Sequence, residues 1–238
     1  MITRNQLRIK IFADGADLDA MLELAADPLV KGFTTNPTLM RRAGIADYES
    51  FARRILEKIT AAPISFEVFA DEFDEMERQA RLIASWGSNV YVKIPVTNTR
   101  GEPATEIIKR LAGEGVSLNV TALLTLEQVR AVSDALAGGA PAFISVFAGR
   151  IADTGFDPVP LMREALAVMA PNPTQELIWA SPREVLNVVQ ADAIGCHVIT
   201  ITDDLLRKLD LLGRDLADYS LDTVRMFHTD AAAAGFTL

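Results

Sequence analysis

The stretch Asn89-Val90-Tyr91-Val92-Lys93-Ile94-Pro95-Val96, NVYVKIPV, places a lysine inside an apolar, β-branched run. Its length and composition are those of a buried strand. Alternation puts Tyr91, Lys93 and Pro95 on one face and Val92, Ile94 and Val96 on the other. A parallel strand covered on both sides reads as nearly all apolar, so the lysine needs a reason. An unpaired ammonium is costly to bury. Either Lys93 reaches water from a strand end, or its surroundings favour the neutral amine and use it.

Seven more runs share this character: RIKIFADG (8–15), GFTTNP (32–37), ISFEVFA (64–70), SLNVTALL (117–124), AFISVFAG (142–149), ELIWAS (176–181) and HVITIT (197–202). Amphipathic stretches separate them, among them DYESFARRILEKI, EFDEMERQARLIASWG, TLEQVRAVSDALAGG, DPVPLMREALAVMA and PREVLNVVQADAIG. The spacing predicts eight strands alternating with eight helices, one unit per roughly 25 residues, as in a parallel sheet. Eight units in about 200 residues match a closed (β/α)8 barrel, a single α/β domain over 1–238. An open doubly wound sheet alternates in the same way, but no glycine-rich dinucleotide loop follows the first run. Beyond the eighth run, SLDTVRMFHTDAAAAGF predicts an additional C-terminal helix over about 221–235, with Val224, Phe227 and Ala231 on one stripe.

The chain carries 23 Lys and Arg against 32 Asp and Glu, a formal charge of −9, with two His. There is no global basic footprint for nucleic acid, and an anionic ligand would need local arginines. The single cysteine, Cys196, has no intrachain disulfide partner. No run approaches the length of a membrane span, and MITRNQLRIKIF lacks the apolar stretch of a secretion signal. The expectation is a reduced, cytoplasmic protein with neither nucleic-acid nor membrane partners.

In such a barrel the chemistry gathers at the C-terminal ends of the strands. Asp14, Thr35, Asn36, Glu67, Lys93, Asn119, Thr121, Ser145 and Ser181 all fall in or at the ends of the runs. Plainer readings stand beside each. Asp14-Gly15 suits a turn or cap, and Asn36-Pro37 a strand exit. Ser145, Ser181 and Thr121 could bond to backbone, and Glu67 with Lys93 could be a structural ion pair. Their coincidence on successive strands favours a shared site.

A neutral lysine amine can attack a carbonyl to form a Schiff base. The protonated imine then takes up electrons as a neighbouring carbon–carbon bond breaks. Asp14 and Glu67 supply carboxylates for proton movement, and a water between Glu67 and Thr121 could relay a proton. Asn36 and Asn119 offer donors and acceptors to hydroxyls. Arg150 beyond the sixth run, and Arg183 beside Ser181 in the first turn of the helix after the seventh, fit an anion, although single arginines are commonly surface groups. Asp203 and Asp204 oppose an anion there unless they point outward as helix caps.

The motifs GFTTNPTLM, YVKIPVT, LNVTALLT, ISVFAGRIADTG and WASPREV, in this order, resemble those of the transaldolases, in particular the short bacterial branch that includes the fructose-6-phosphate aldolases. The likeness runs from about Ile9 to the C-terminal helix. It implies a TIM barrel with Lys93 as the imine-forming nucleophile, Asp14 as acid/base, and Glu67 with Thr121 holding a catalytic water. It further implies that Asn36, Asn119 and Ser145, next to Thr35, hold a dihydroxyacetone portion, and that Arg150, Ser181 and Arg183 bind phosphate. The substrates would be sugar phosphates, with no metal or organic cofactor. The branch forms homo-oligomers, rings or decamers, in which the C-terminal helix packs on a neighbouring subunit; a dimer is the simpler alternative.

Aldolase members carry Gln and Tyr where transaldolases carry Glu and Phe; here those positions are Glu67 and Phe147, the transferase pair. Val146 and Ala148 replace the usual Pro and Val, and Thr202 a common Pro, which leaves the donor and acceptor open. The expected activity is transfer of a dihydroxyacetone unit from a ketose phosphate to an aldose phosphate. The alternatives are an aldolase releasing free dihydroxyacetone, a related enzyme for an unusual biosynthetic sugar, or a non-catalytic sugar-phosphate sensor.

Overall fold

Val92 and Ile94 are fully buried against the helices while Tyr91, Lys93 and Pro95 turn to the other side, as period-two alternation requires. The same sorting operates on eight strands in the computed structural model, which describes residues 3–236. They are β1 Lys10–Asp14, β2 Val30–Thr34, β3 Ile64–Glu67, β4 Val90–Pro95, β5 Leu118–Leu123, β6 Ala142–Val146, β7 Gln175–Trp179 and β8 Val198–Ile201. All neighbours pair in parallel, and β8 returns to β1, so the sheet closes as β1-β2-β3-β4-β5-β6-β7-β8. The (β/α)8 TIM barrel expected from the alternation is the observed fold.

Two apolar layers hold it. Outward residues such as Ile11, Phe33, Phe66, Val120 and Leu177 join the large core beneath the helices. Inward, Phe12, Phe143, Ile178, Ala180 and Val198 form a separate cluster against Tyr91 and Phe147. Phe12 meets Phe143 edge to face at 5.3 Å between ring centroids. Gly32 faces this plug, and a Cβ there would stand 2.6 Å from the Phe12 ring. Glycine on β2 is therefore the space into which the phenylalanine packs. The plug fills the middle of the barrel.

The described residues contain eleven α-helices, where eight and an additional C-terminal one are expected from the sequence. They are α1 Leu18–Ala25, α2 Pro37–Arg42, α3 Tyr48–Leu56, α4 Phe73–Ala84, α5 Thr105–Gly113, α6 Leu126–Leu136, α7 Ala148–Asp153, α8 Pro158–Met169, α9 Val185–Ala193, α10 Asp203–Lys208 and α11 Leu216–Ala234. The short α2 and α7 follow directly on β2 and β6 and bring extra residues over the mouth. Thr125 caps α6, its hydroxyl accepting from the Gln128 N–H.

Two boundaries differ from expectation. Arg183 precedes α9 and its cap residue Glu184, because the helix begins only at Val185. The C-terminal helix starts at Leu216 rather than near 221, because the Asp215 carboxylate caps it by accepting from the Ala217 and Asp218 N–H groups. Gly235 ends it in the left-handed conformation. None of its residues is buried, and Val224 and Phe227 are 60% and 63% exposed.

Candidate active site

Register sets the site. Glu67 on β3 is the pairing partner of Lys93 on β4, Asp14 of Thr34, and Pro95 of Thr121. Of these, Asp14, Thr34, Glu67, Lys93 and Thr121 line a mouth cavity of about 730 Å³. Lys93 is 7% exposed on its floor. Its Nζ stands 3.2 Å from Glu67 Oε2 and donates to the Thr35 carbonyl at 2.9 Å. The amine is thus held between one carboxyl group and one backbone carbonyl.

Asp14 accepts a hydrogen bond from the Thr34 hydroxyl at 2.8 Å, and that hydroxyl also contacts the Thr200 hydroxyl. Burial pushes the Asp14 carboxyl above its ordinary range; Lys93 and the Thr34 hydroxyl pull it back, and Glu67 adds to the rise. A carboxyl poised in this way can exchange a proton with a bound substrate.

Thr121 lines the cavity with its buried hydroxyl unmatched by any hydrogen-bond partner among the described residues. The next residue, Ala122, adopts a left-handed φ of 67°, and the β5–β6 register shifts between Val120 and Leu123. The irregularity turns both Thr121 and Ala122 toward the cavity.

Asn119 and Thr35 occupy a different level from the cavity-lining residues. Both are fully buried. Asn119 donates to the Ser65 hydroxyl at 2.9 Å and accepts from Ser145 at 2.7 Å, so it supports Ser145, which lines the cavity. The Thr35 hydroxyl donates to the Ser65 carbonyl at 3.0 Å. Asn36 reaches the cavity while its Oδ1 caps α2 through the Leu39 N–H at 3.0 Å, leaving its NH2 for a ligand.

Across the mouth, Phe147 lines the cavity, and the Arg150 guanidinium lies 5.3 Å from its ring centroid. Ser181 and Arg183 complete that wall. Ser181 has a left-handed φ of 59°, and a Cβ on Gly149 would fall 1.5 Å from its carbonyl oxygen. Only glycine lets α7 approach the β7–α9 loop so closely. Arg183 donates to Ser181 Oγ at 3.2 Å and is ion-paired with Asp153, whose carboxyl it holds below the ordinary range. Asp203 and Asp204 lie in the first turn of α10, paired with Arg207 and Lys208, away from the cavity.

Arg42, Thr34 and Thr200 also line the cavity, and sequence reading had not selected them. Alternation from Gly32 points to Thr34 rather than Thr35 as the inward threonine. Arg42 follows Thr38 by one helical turn on α2, a spacing readable once α2 is recognised.

The constellation of an ion-paired lysine and two carboxylates at the mouth of a closed barrel can be compared with known proteins. Relatives named "Probable transaldolase" are 35% identical over 202 residues in Dehalococcoides mccartyi, covering 84% of this chain and 90% of the relative. The corresponding protein of Streptococcus equi subsp. zooepidemicus is 37% identical over the same shares, and that of Herpetosiphon aurantiacus 33% identical over 90% of this chain and 92% of its own. A crystal structure from Burkholderia cenocepacia J2315 is alike in fold alone, with a TM-score of 0.59 at 14% identity over 96% of this chain and 84% of its own. The family model described as transaldolase/fructose-6-phosphate aldolase matches residues 11–238, a span holding every strand end and cavity residue above except the β1 start at Lys10. With that match and relatives sharing a third of their residues over most of their length, this chain belongs to the transaldolase/fructose-6-phosphate aldolase family.

Proposed function

We propose that the protein is a transaldolase that moves a dihydroxyacetone unit from a ketose phosphate to an aldose phosphate through a Schiff base on Lys93. The observation that carries this reading is the Lys93 amine at the cavity floor, 3.2 Å from Glu67, with Asp14 lining the same cavity. Nζ attacks the C2 carbonyl, and loss of water gives the iminium. Asp14 takes the C4 hydroxyl proton as the C3–C4 bond breaks, the bonding pair passing to the enamine and the aldehyde leaving. The enamine then attacks an acceptor aldehyde, and water releases the new ketose. Glu67 and the unmatched Thr121 hydroxyl hold the water that enters and leaves at C2.

Asn36 and Ser145, the latter braced by Asn119, take the hydroxyls of the three-carbon unit, with Thr35 fixing the amine through its carbonyl. Arg150, Ser181 and Arg183 take the phosphate. Phe147 supports transfer over release, since a phenyl ring offers no hydrogen bond to a water that would protonate the bound carbanion. No metal or organic cofactor takes part in these steps. The exposed apolar side chains of α11 support a homo-oligomer in which this helix packs on a neighbouring subunit.

The test is fructose 6-phosphate cleavage with and without erythrose 4-phosphate. Turnover that depends on the acceptor is expected. Equal product without it would replace the transferase reading by an aldolase one.

A further inference from the structure

The β2–β3 ladder stops where the site begins. The Phe33 N–H donates to the Pro63 carbonyl at 2.9 Å, and the Thr35 N–H to the Ser65 carbonyl at 3.2 Å. In a parallel ladder the next rung carries the Glu67 N–H to the Thr35 carbonyl. Neither group makes that bond. The Thr35 carbonyl accepts from Lys93 Nζ, and the Glu67 N–H donates to the Tyr48 hydroxyl at 2.7 Å. That hydroxyl in turn donates to the Glu67 carbonyl at 3.1 Å.

We infer that Tyr48 is a positioning residue whose phenol replaces the missing rung, reserving the Thr35 carbonyl for Lys93 and fixing the backbone of Glu67. Tyr48 is the first residue of α3, anchored by the Asp47 cap that accepts from the Ser50 N–H at 3.0 Å. Its ring packs edge-on against Phe69 at 4.5 Å, Trp86 at 5.7 Å and Phe66 at 6.1 Å. Burial raises the phenol above its ordinary value, so it stays protonated and can donate to one Glu67 group while accepting from the other. A buried N–H left without an acceptor is costly. Without the phenol, the acceptor that ladder geometry offers Glu67 is the Thr35 carbonyl, and Lys93 loses one of its two contacts.

The inference rests on Lys93 forming a Schiff base, and the experiment separates the two. Single-turnover trapping with fructose 6-phosphate and borohydride is followed for the wild-type chain, Tyr48→Phe and Trp86→Phe. Tyr48→Phe keeps the ring and deletes only the hydroxyl; Trp86→Phe perturbs the same aromatic cluster and no hydrogen bond to Glu67. Trapping by Tyr48→Phe is expected to slow by roughly ten-fold or more, as small misplacements of reacting groups do. KM should stay within about two-fold, and Trp86→Phe should trap within about two-fold of wild type. Recovery of the rate by Tyr48→4-aminophenylalanine, which returns a polar atom to that point, supports the inference.

Wild-type trapping by Tyr48→Phe, or an equal loss in Trp86→Phe, would overturn this inference and leave the Schiff base standing. Absence of any adduct in the wild-type chain would overturn both.

Discussion

Glu67 and Lys93 are register partners on adjacent parallel strands, and this pairing alone brings a carboxylate within 3.2 Å of the amine. Both are inward residues at the mouth, above a plug of aromatic and aliphatic side chains that gives the strands a fixed separation. Asp14 lines the same cavity from β1, its carboxyl bonded by the Thr34 hydroxyl, which in turn meets Thr200. The placement of Asp14, Glu67 and Lys93 therefore rests on the strands themselves.

Asp14 ties function to pH. Because burial raises its carboxyl, the folded chain holds that proton more tightly than the unfolded chain. The stability it contributes is complete below the ordinary carboxylate range and is lost as pH rises through the window up to the raised value. Asp14→Asn cannot ionise, so at neutral pH it is expected to melt above wild type, with the gap closing on acidification below the ordinary range. Its transfer activity should fall on the order of 10²–10⁴-fold. Calorimetric melting across pH, beside the transfer assay, checks both; a lower melting point at neutral pH would contradict the assignment.

The wall proposed to take phosphate holds two unlike arginines. Arg183 is tied to Asp153, whereas Arg150 stacks on Phe147 and has no ion pair among the described residues. Arg150→Ala should raise KM for fructose 6-phosphate roughly ten-fold or more and leave that for fructose unchanged. Asp153→Asn should lower KM for the phosphorylated sugar by freeing Arg183. Equal effects of Arg150→Ala on both sugars would place phosphate elsewhere.

The interior plug makes a coupled stability prediction. Phe12→Ala should cost about 3–5 kcal/mol by leaving a cavity. Gly32→Ala should cost about 1–3 kcal/mol, because its Cβ would meet the Phe12 ring. In Gly32→Ala/Phe12→Leu the smaller side chain should relieve part of that clash, so the losses of single Gly32→Ala and single Phe12→Leu should sum to more than the double variant loses. Urea midpoints of the wild type, these two single variants and the double variant measure the coupling.

The barrel was legible because each strand carries its own period-two pattern, and runs such as VYVKIPV and ISFEVFA need no partner to be recognised. Lys93 and Glu67 stand out as charges inside apolar runs, and Asp14 at the end of one. What lay out of reach were facts made between strands. The contact of Thr34 with Thr200 depends on closure of β8 onto β1. The retreat of Asn119 below Ser145 depends on packing across β3, β5 and β6. PREV reads as a helix start with Arg183 in its first turn, but Glu184 holds the cap and the arginine is left in the loop. The helices α2 and α7 are too short to show a periodic stripe.

The central claim is that Lys93 forms the covalent bond to substrate. Borohydride reduction in the presence of fructose 6-phosphate, followed by peptide mass mapping, tests it most directly. The expected result is a reduced sugar adduct on Lys93 and none in Lys93→Ala, a variant that should retain the circular dichroism of the wild-type fold. An unmodified Lys93, or an adduct that persists in Lys93→Ala, would contradict it.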